Sequence, residues 1–167
     1  MWHRIACWAV GLLCWAPLAQ SQTVPEAAAL VGRTTQGSVV DLAQLRGKVV
    51  LVFFWSTDCA VCLDLLPELR RNLSGWRTRP FEIVAVNQDR TLAGLQAYEK
   101  VLDRVVAPDP QMRIVWRRDP AHGDTFGEHA ARQATTVVVD RAGQVVKTVR
   151  GRWPPALWDE IAELVLN

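Results

Sequence analysis

Residues Val49 to Trp55 are seven consecutive apolar side chains with no polar residue at alternate positions. A strand with one wetted face would alternate. An unbroken run rich in Val and Phe, and too short for a helix, is instead expected to be a strand buried on both faces. Ser56-Thr57-Asp58 interrupt the run with cap-type residues, and Cys59-Ala60-Val61-Cys62 follow at once. From Cys59 to about Gly75 the apolar residues Val61, Leu65, Leu66, Leu69 and Leu73 recur at helical spacing. Pro67 falls inside that helix, where it should produce a kink. The chain is thus constrained to a buried strand, a short turn and a helix, with two thiols at the junction.

The remaining segments extend this pattern. Val39 to Leu42 reads as a short strand leading into a turn at Arg46-Gly47-Lys48, and Phe81 to Val86 as a second buried strand. Leu92, Leu95, Tyr98 and Leu102 predict a helix over about 91–106, followed by a Pro-rich loop at 107–112. Met112 to Trp116 reads as a short strand, residues 119–125 as a loop, and Thr125 to Arg132 as a short helix. Thr135 to Val139 and Val145 to Val149, separated by Asp140-Arg141-Ala142-Gly143, predict an antiparallel hairpin. Pro154 or Pro155 opens a last helix whose inner face is Leu157, Ile161, Leu164 and Val165. Residues 22–36 read as a loose lead-in, with one helical turn over Glu26 to Leu30. A parallel strand pair with helical crossovers, followed by an antiparallel pair, predicts an α/β fold: a mixed central sheet with helices on both faces.

The N-terminus reads as an export signal. Met1-Trp2-His3-Arg4 carries the positive charge, Ile5 to Leu18 is an apolar core, and Ala19-Gln20-Ser21 offers small residues for cleavage after Ser21. The expected organisation is a signal peptide at 1–21, the lead-in at 22–36 and one domain at 37–167. A retained anchor and lipid attachment at Cys14 are the alternatives. The apolar segment is short for a span, and bulky Leu12-Leu13 precede Cys14. Of the four cysteines, Cys7 and Cys14 fall within the signal. Cys59 and Cys62 then remain as one dithiol/disulfide site, too few for a structural disulfide framework. The 19 Lys and Arg against 17 Asp and Glu, spread along the chain, give no electrostatic case for a nucleic-acid partner.

The order of elements, with C-x-x-C at the first strand-to-helix junction, resembles the thioredoxin fold, and more closely its exported TlpA/ResA/DsbE-like branch. The similar segments are Leu45 to Ser56 before the cysteines, Pro67 in the helix, Glu82 to Asn87, and Thr135 to Asp140 followed by Gly143. The resemblance implies a periplasmic thiol–disulfide oxidoreductase that reduces specific protein disulfides. It also implies electrons from a membrane thiol donor and clients in cytochrome c maturation or in an oxidative or metal-stress pathway. A monomer is expected, with no cofactor beyond the Cys59–Cys62 disulfide and no resident metal. Gln133, Ala134 and Thr135 occupy the family's substrate-docking loop. Asp89 lies near its acidic residue that assists proton transfer. Three residues depart from the pattern. Asp58 replaces the Trp before the first cysteine, and Val61 replaces the usual Pro. Ala134 stands where the family carries a cis-proline. A cis bond before a non-proline residue costs about 3–4 kcal/mol, so a trans peptide and a reshaped loop are expected.

Thiol–disulfide exchange needs an attacking thiolate and a resolving thiol. Cys59, at the helix start, is expected to be the exposed attacker, favoured by the helix N-terminus. Cys62 is expected to be buried and resolving. A fixed structural disulfide is the bland alternative, although a ring this small constrains the unfolded chain little. Asp58 has two readings, a helix cap or a charge opposing the Cys59 thiolate. Asp89 also has two, a proton-transfer carboxylate or a solvated loop residue. His122 and His129 are expected at the surface. If His129 approached the cysteines, the three side chains could bind a soft metal such as Cu(I), as in a copper chaperone. A redox-weak interaction module keeping only the fold is a third reading. A peroxidase is disfavoured, because the Ser56–Cys59 spacing lacks the preceding proline. Trp76, Trp116, Trp153 and Trp158 are expected to serve packing.

Overall fold

The computed structural model describes residues 27–105, 112–128 and 132–167. The expected signal peptide, most of the Pro-rich 107–112 segment and His129 lie outside them. The buried apolar run is strand β3 (Val49–Trp55), with all seven side chains buried. It is the centre of a five-stranded sheet of order β5-β4-β3-β7-β8. Strands β4 (Phe81–Asn87) and β5 (Met112–Trp116) run parallel to it, and β7 (Thr135–Val139) and β8 (Val145–Arg150) form the antiparallel side. The helices are α1 (Ala60–Gly75, with Pro67 inside), α2 (Leu92–Val105) and α3 (Leu157–Leu166). A second sheet is built from β1 (Leu30–Arg33), β2 (Val39–Asp41) and β6 (Gly123–Asp124), in the order β2-β1-β6. This mixed sheet with three helices is the thioredoxin-like α/β fold read from the sequence.

The two faces of β3 carry different layers. Val49, Leu51, Phe53 and Trp55 pack with Leu65, Leu66 and Leu69 of α1, Leu95 of α2, and Leu157, Ile161 and Val165 of α3. Val50, Val52 and Phe54 pack with Leu30, Val40, Leu42 and Leu45 from the small sheet and the 3-10 helix Leu42–Leu45. The expectation that helices divide between both faces is therefore corrected, since the three α-helices share one face. The reason is topological. The crossovers β3-α1-β4 and β4-α2-β5 step the same way across the sheet, and right-handed crossovers in one direction place their helices on one side. On that side Trp76, Phe81, Trp158 and Trp153 form a chain of edge-to-face contacts ending on Phe53, with successive ring centroids 4.9–6.5 Å apart. The packing role expected of these tryptophans is the one they serve.

Two local expectations fail because tertiary partners take the backbone groups. The segment expected as a helical turn is extended from Leu30. Ala28 N–H donates to Gly143 O at 3.0 Å and Ala29 N–H to Thr125 Oγ1 at 3.1 Å, partners far off in the chain. The helix expected from Thr125 is absent over its described part, 125–128. There Thr125 N–H donates to Ala29 O at 3.1 Å and the Arg117 guanidinium takes the Gly127 carbonyl. The hairpin is as expected. Gly143, at φ +77°, closes its turn, and a Cβ there would lie 1.8 Å from Arg46 Nη1.

Candidate functional site

The buried strand β3 ends at Trp55 and the chain turns through Ser56-Thr57-Asp58 before α1. Cys59 is the N-cap of α1, with extended backbone at φ −101°, ψ 99°. Its Sγ is bonded to Cys62 Sγ at 2.06 Å and accepts the Cys62 backbone N–H at 3.1 Å. The sulfur thus occupies the place a Ser or Asp oxygen takes in an ordinary cap, at the positive end of a 16-residue helix. A thiolate on Cys59 would meet the same donor.

Cys59 is 2% exposed and Cys62 fully buried. The expectation of an exposed Cys59 is corrected for this disulfide state, while that of a buried Cys62 stands. Both cysteines belong to the apolar cluster that also takes in Ala134 from the loop before β7. No described peptide bond is cis, so Gln133–Ala134 is trans. Ala134 is buried and its carbonyl accepts from Gly151 N–H at 2.8 Å. Gln133 is exposed, whereas Thr135 is buried opposite Phe54 and its Oγ1 has no hydrogen-bond partner among the described residues. The segment before β7 reaches the turn before Cys59 through Arg132, whose Nε lies 2.9 Å from Asp58 Oδ2.

Asp58 does not cap α1, because the Cys59 sulfur does. Its Oδ1 accepts the Ser56 hydroxyl at 2.6 Å, and its Oδ2 accepts Arg132 Nε at 2.9 Å. The Ser56 hydroxyl, then the Arg132 guanidinium, hold its carboxyl below the ordinary value, so it is ionised beside Cys59. Asp89 is a buried clasp and not a solvated loop residue. Its two oxygens accept the Thr57 N–H at 2.8 Å and the Thr57 hydroxyl at 2.9 Å. Its own backbone is held by Asn87 Oδ1 and by the Trp116 indole N–H, at 3.0 and 2.9 Å. Removing the clasp in Asp89→Ala should destabilise the fold by about 2 kcal/mol, since two charge-assisted bonds are lost. Urea unfolding checks this, and a change below about 0.5 kcal/mol would show that water replaces the clasp.

His122 is not at the surface. Its side chain is 3% exposed and its Nε2 lies 2.8 Å from Asp124 Oδ2, within the small-sheet layer. His129 is outside the described residues, and among those described no three His, Cys, Asp or Glu side chains converge to hold a metal ion. Sequence reading missed Ser56, Thr57 and Arg132. The one available signal was a basic residue two positions before Ala134, in a loop already expected to face the cysteines.

A family model described as Redoxin matches residues 19–163. The thiol-disulfide oxidoreductase ResA of Halalkalibacterium halodurans is 26% identical over 130 residues, covering 78% of this chain and 69% of its own. ResA of Bacillus subtilis is 24% identical over 135 residues, with the same two coverages of 78% and 69%. Among solved structures, a chain assigned as thiol:disulfide interchange protein DsbE from Chlorobium tepidum superposes with a TM-score of 0.66 at 26% identity, over 84% of this chain and 95% of its own.

Proposed function

The chain belongs to the Redoxin family, and from that premise we propose that it is an exported thiol–disulfide oxidoreductase that reduces protein disulfides in the periplasm. The observation that carries the reading is the Cys59 sulfur at the N-cap of α1, receiving the Cys62 N–H at 3.1 Å. A helix N-terminus with a directed N–H stabilises a thiolate and so activates the attacking cysteine. The relatives named ResA and DsbE support the same reaction class.

The chemistry balances within the chain's own residues and two thiol partners. The Cys59 thiolate attacks one sulfur of a client disulfide, forms a mixed disulfide and expels the client's other sulfur as a thiolate. Cys62, as thiolate, then attacks Cys59 Sγ. The Cys59–Cys62 disulfide closes and the second client sulfur leaves. The client gains two electrons and this protein loses two. A dithiol donor, which the family resemblance implies is a membrane protein, restores the reduced form. The electron pair resides on the cysteines, so no further cofactor is needed. Export is supported by the apolar segment Ile5 to Leu18 ahead of Ala19 and Ser21. No helix among the described residues is long and apolar enough to cross a membrane.

The test is the intact mass of alkylated protein equilibrated in graded ratios of reduced to oxidised dithiothreitol. One reversible transition adding two alkyl groups is expected. A pair that stays oxidised at every ratio would make the bridge structural and overturn the reading. The same masses report the N-terminus, and exported protein should begin at Gln22; an intact Met1 would remove the export part.

A further inference from the structure

The residue before Cys59 is an ionised carboxylate. Taken alone, its charge should oppose formation of the Cys59 thiolate and slow the exchange reaction. The structure shows that it does not act alone. Arg132 Nε lies 2.9 Å from Asp58 Oδ2, with the Arg132 side chain 81% and the Asp58 side chain 54% exposed. The Ser56 hydroxyl holds the other carboxylate oxygen at 2.6 Å, so the group that Arg132 meets is already oriented. The ion pair joins the turn before Cys59 to the loop that carries the buried Ala134. Two other carboxylates near the start of α1 among the described residues are already engaged. Asp89 is bonded to Thr57, and Asp64 pairs with Arg152 at 2.8 Å.

We propose that Arg132 is a positioning residue for the exchange reaction, acting through Asp58: it offsets the carboxylate beside Cys59 and so keeps the Cys59 sulfur a competent nucleophile. The inference rests on the exchange reading above and adds a residue to it. An exposed pair of this kind contributes little to stability, so its consequence is expected at the sulfur and not in the fold. The sign follows from Coulomb's law. Arg132→Ala leaves Asp58 uncompensated, which disfavours the thiolate. Asp58→Asn leaves the guanidinium without its partner, which favours the thiolate. The double variant Asp58→Asn/Arg132→Ala removes both charges and should return towards wild type. Arg132→Lys keeps the charge and should remain close to wild type.

The experiment is the rate of alkylation of Cys59 in the dithiothreitol-reduced protein, followed from pH 4 to 10 for the wild type and these four variants. Each runs in a Cys62→Ser background so that one thiol reports. At separations of several ångströms near a surface, one charge moves such a midpoint by roughly half to one pH unit, about a three- to tenfold change in thiolate fraction on the acid side. The midpoint should rise in Arg132→Ala and fall in Asp58→Asn. A merely structural role for Arg132 would change the limiting rate at high pH and leave the midpoint in place. It would also give both single variants the same sign. Either result, or coincident midpoints in all five proteins, overturns the inference. Failure of the underlying reading is separate: the wild-type pair would then show no reversible transition in the dithiothreitol series.

Discussion

Cys62→Ser will capture client proteins as mixed disulfides, and Cys59→Ser will capture none. In Cys62→Ser the attacking sulfur remains at the N-cap of a 16-residue helix. The donor that favours its thiolate is the backbone N–H of position 62, which serine retains. The first half of the exchange therefore survives. The second half has no thiol to attack the mixed disulfide, so the adduct persists. On non-reducing gels of the exported fraction, bands above the free protein should appear and collapse on adding dithiothreitol. In Cys59→Ser the remaining sulfur lies inside α1 and away from the N-cap, and attack on a protein disulfide should stop. Insulin reduction in both variants should fall to the uncatalysed background, because splitting one exchange into two steps requires both sulfurs. Adducts in Cys59→Ser but not in Cys62→Ser would reverse the two roles.

Arg117→Ala should be the most damaging substitution of a charged residue. Arg117 clasps Asp124 with Nε and Nη2, each at 2.9 Å, and donates to the Gly127 carbonyl. Its guanidinium also lies over the Phe54 ring, 4.9 Å from the centroid. The side chains are 16% and 4% exposed, so the carboxylate is out of water and the arginine nearly so. Removing one member of such a pair strands the other, at a cost of about 3–5 kcal/mol. The midpoint of urea unfolding reports it. A loss below about 1 kcal/mol would mean that water reaches Asp124.

The same pair has a pH signature. Burial raises the Asp124 carboxyl, but hydrogen bonds from His122 and Arg117 outweigh it and hold the group well below the ordinary carboxylate range. A depressed folded-state value means that the unfolded chain binds the proton first as the pH falls. The stability that Asp124 contributes is complete above the unfolded value of about 3.9 and is lost below it. In Arg117→Ala the depression is smaller, so less is lost. The gap between wild type and variant should therefore narrow on acidification from pH 5 to pH 3. A gap that widened would show that the carboxylate is not held ionised by Arg117.

Where periodicity and partners agreed, the sequence was legible. Seven apolar residues with no alternation admitted only a doubly buried strand, and β3 is that strand. The spacing of Leu65, Leu66, Leu69 and Leu73 placed one face of α1 in the core, where all four are buried. Thr135 to Val139 and the Asp140–Gly143 turn specified the hairpin. Cys59 and Cys62 at the strand–helix junction were enough to locate the site. Where backbone groups had distant partners, local patterns misled. Leu30 to Arg33 looked uncommitted until β2 and β6 paired with it. Asp89 looked like a loop carboxylate because nothing near it in the chain announces Thr57.

The sequence by itself determined the α/β class, the thioredoxin-like order of elements and the pairing of Cys59 with Cys62, because each depends on residues close together in the chain. Only the tertiary structure decided that all three α-helices share one face, that Cys59 is buried in its bonded state, and that Asp58 is shared between Ser56 and Arg132. Those features depend on the direction of chain crossovers and on pairs separated by tens of residues. Residue spacing encodes periodicity and reach, and it carries no record of which distant donor a buried or ionised group will meet.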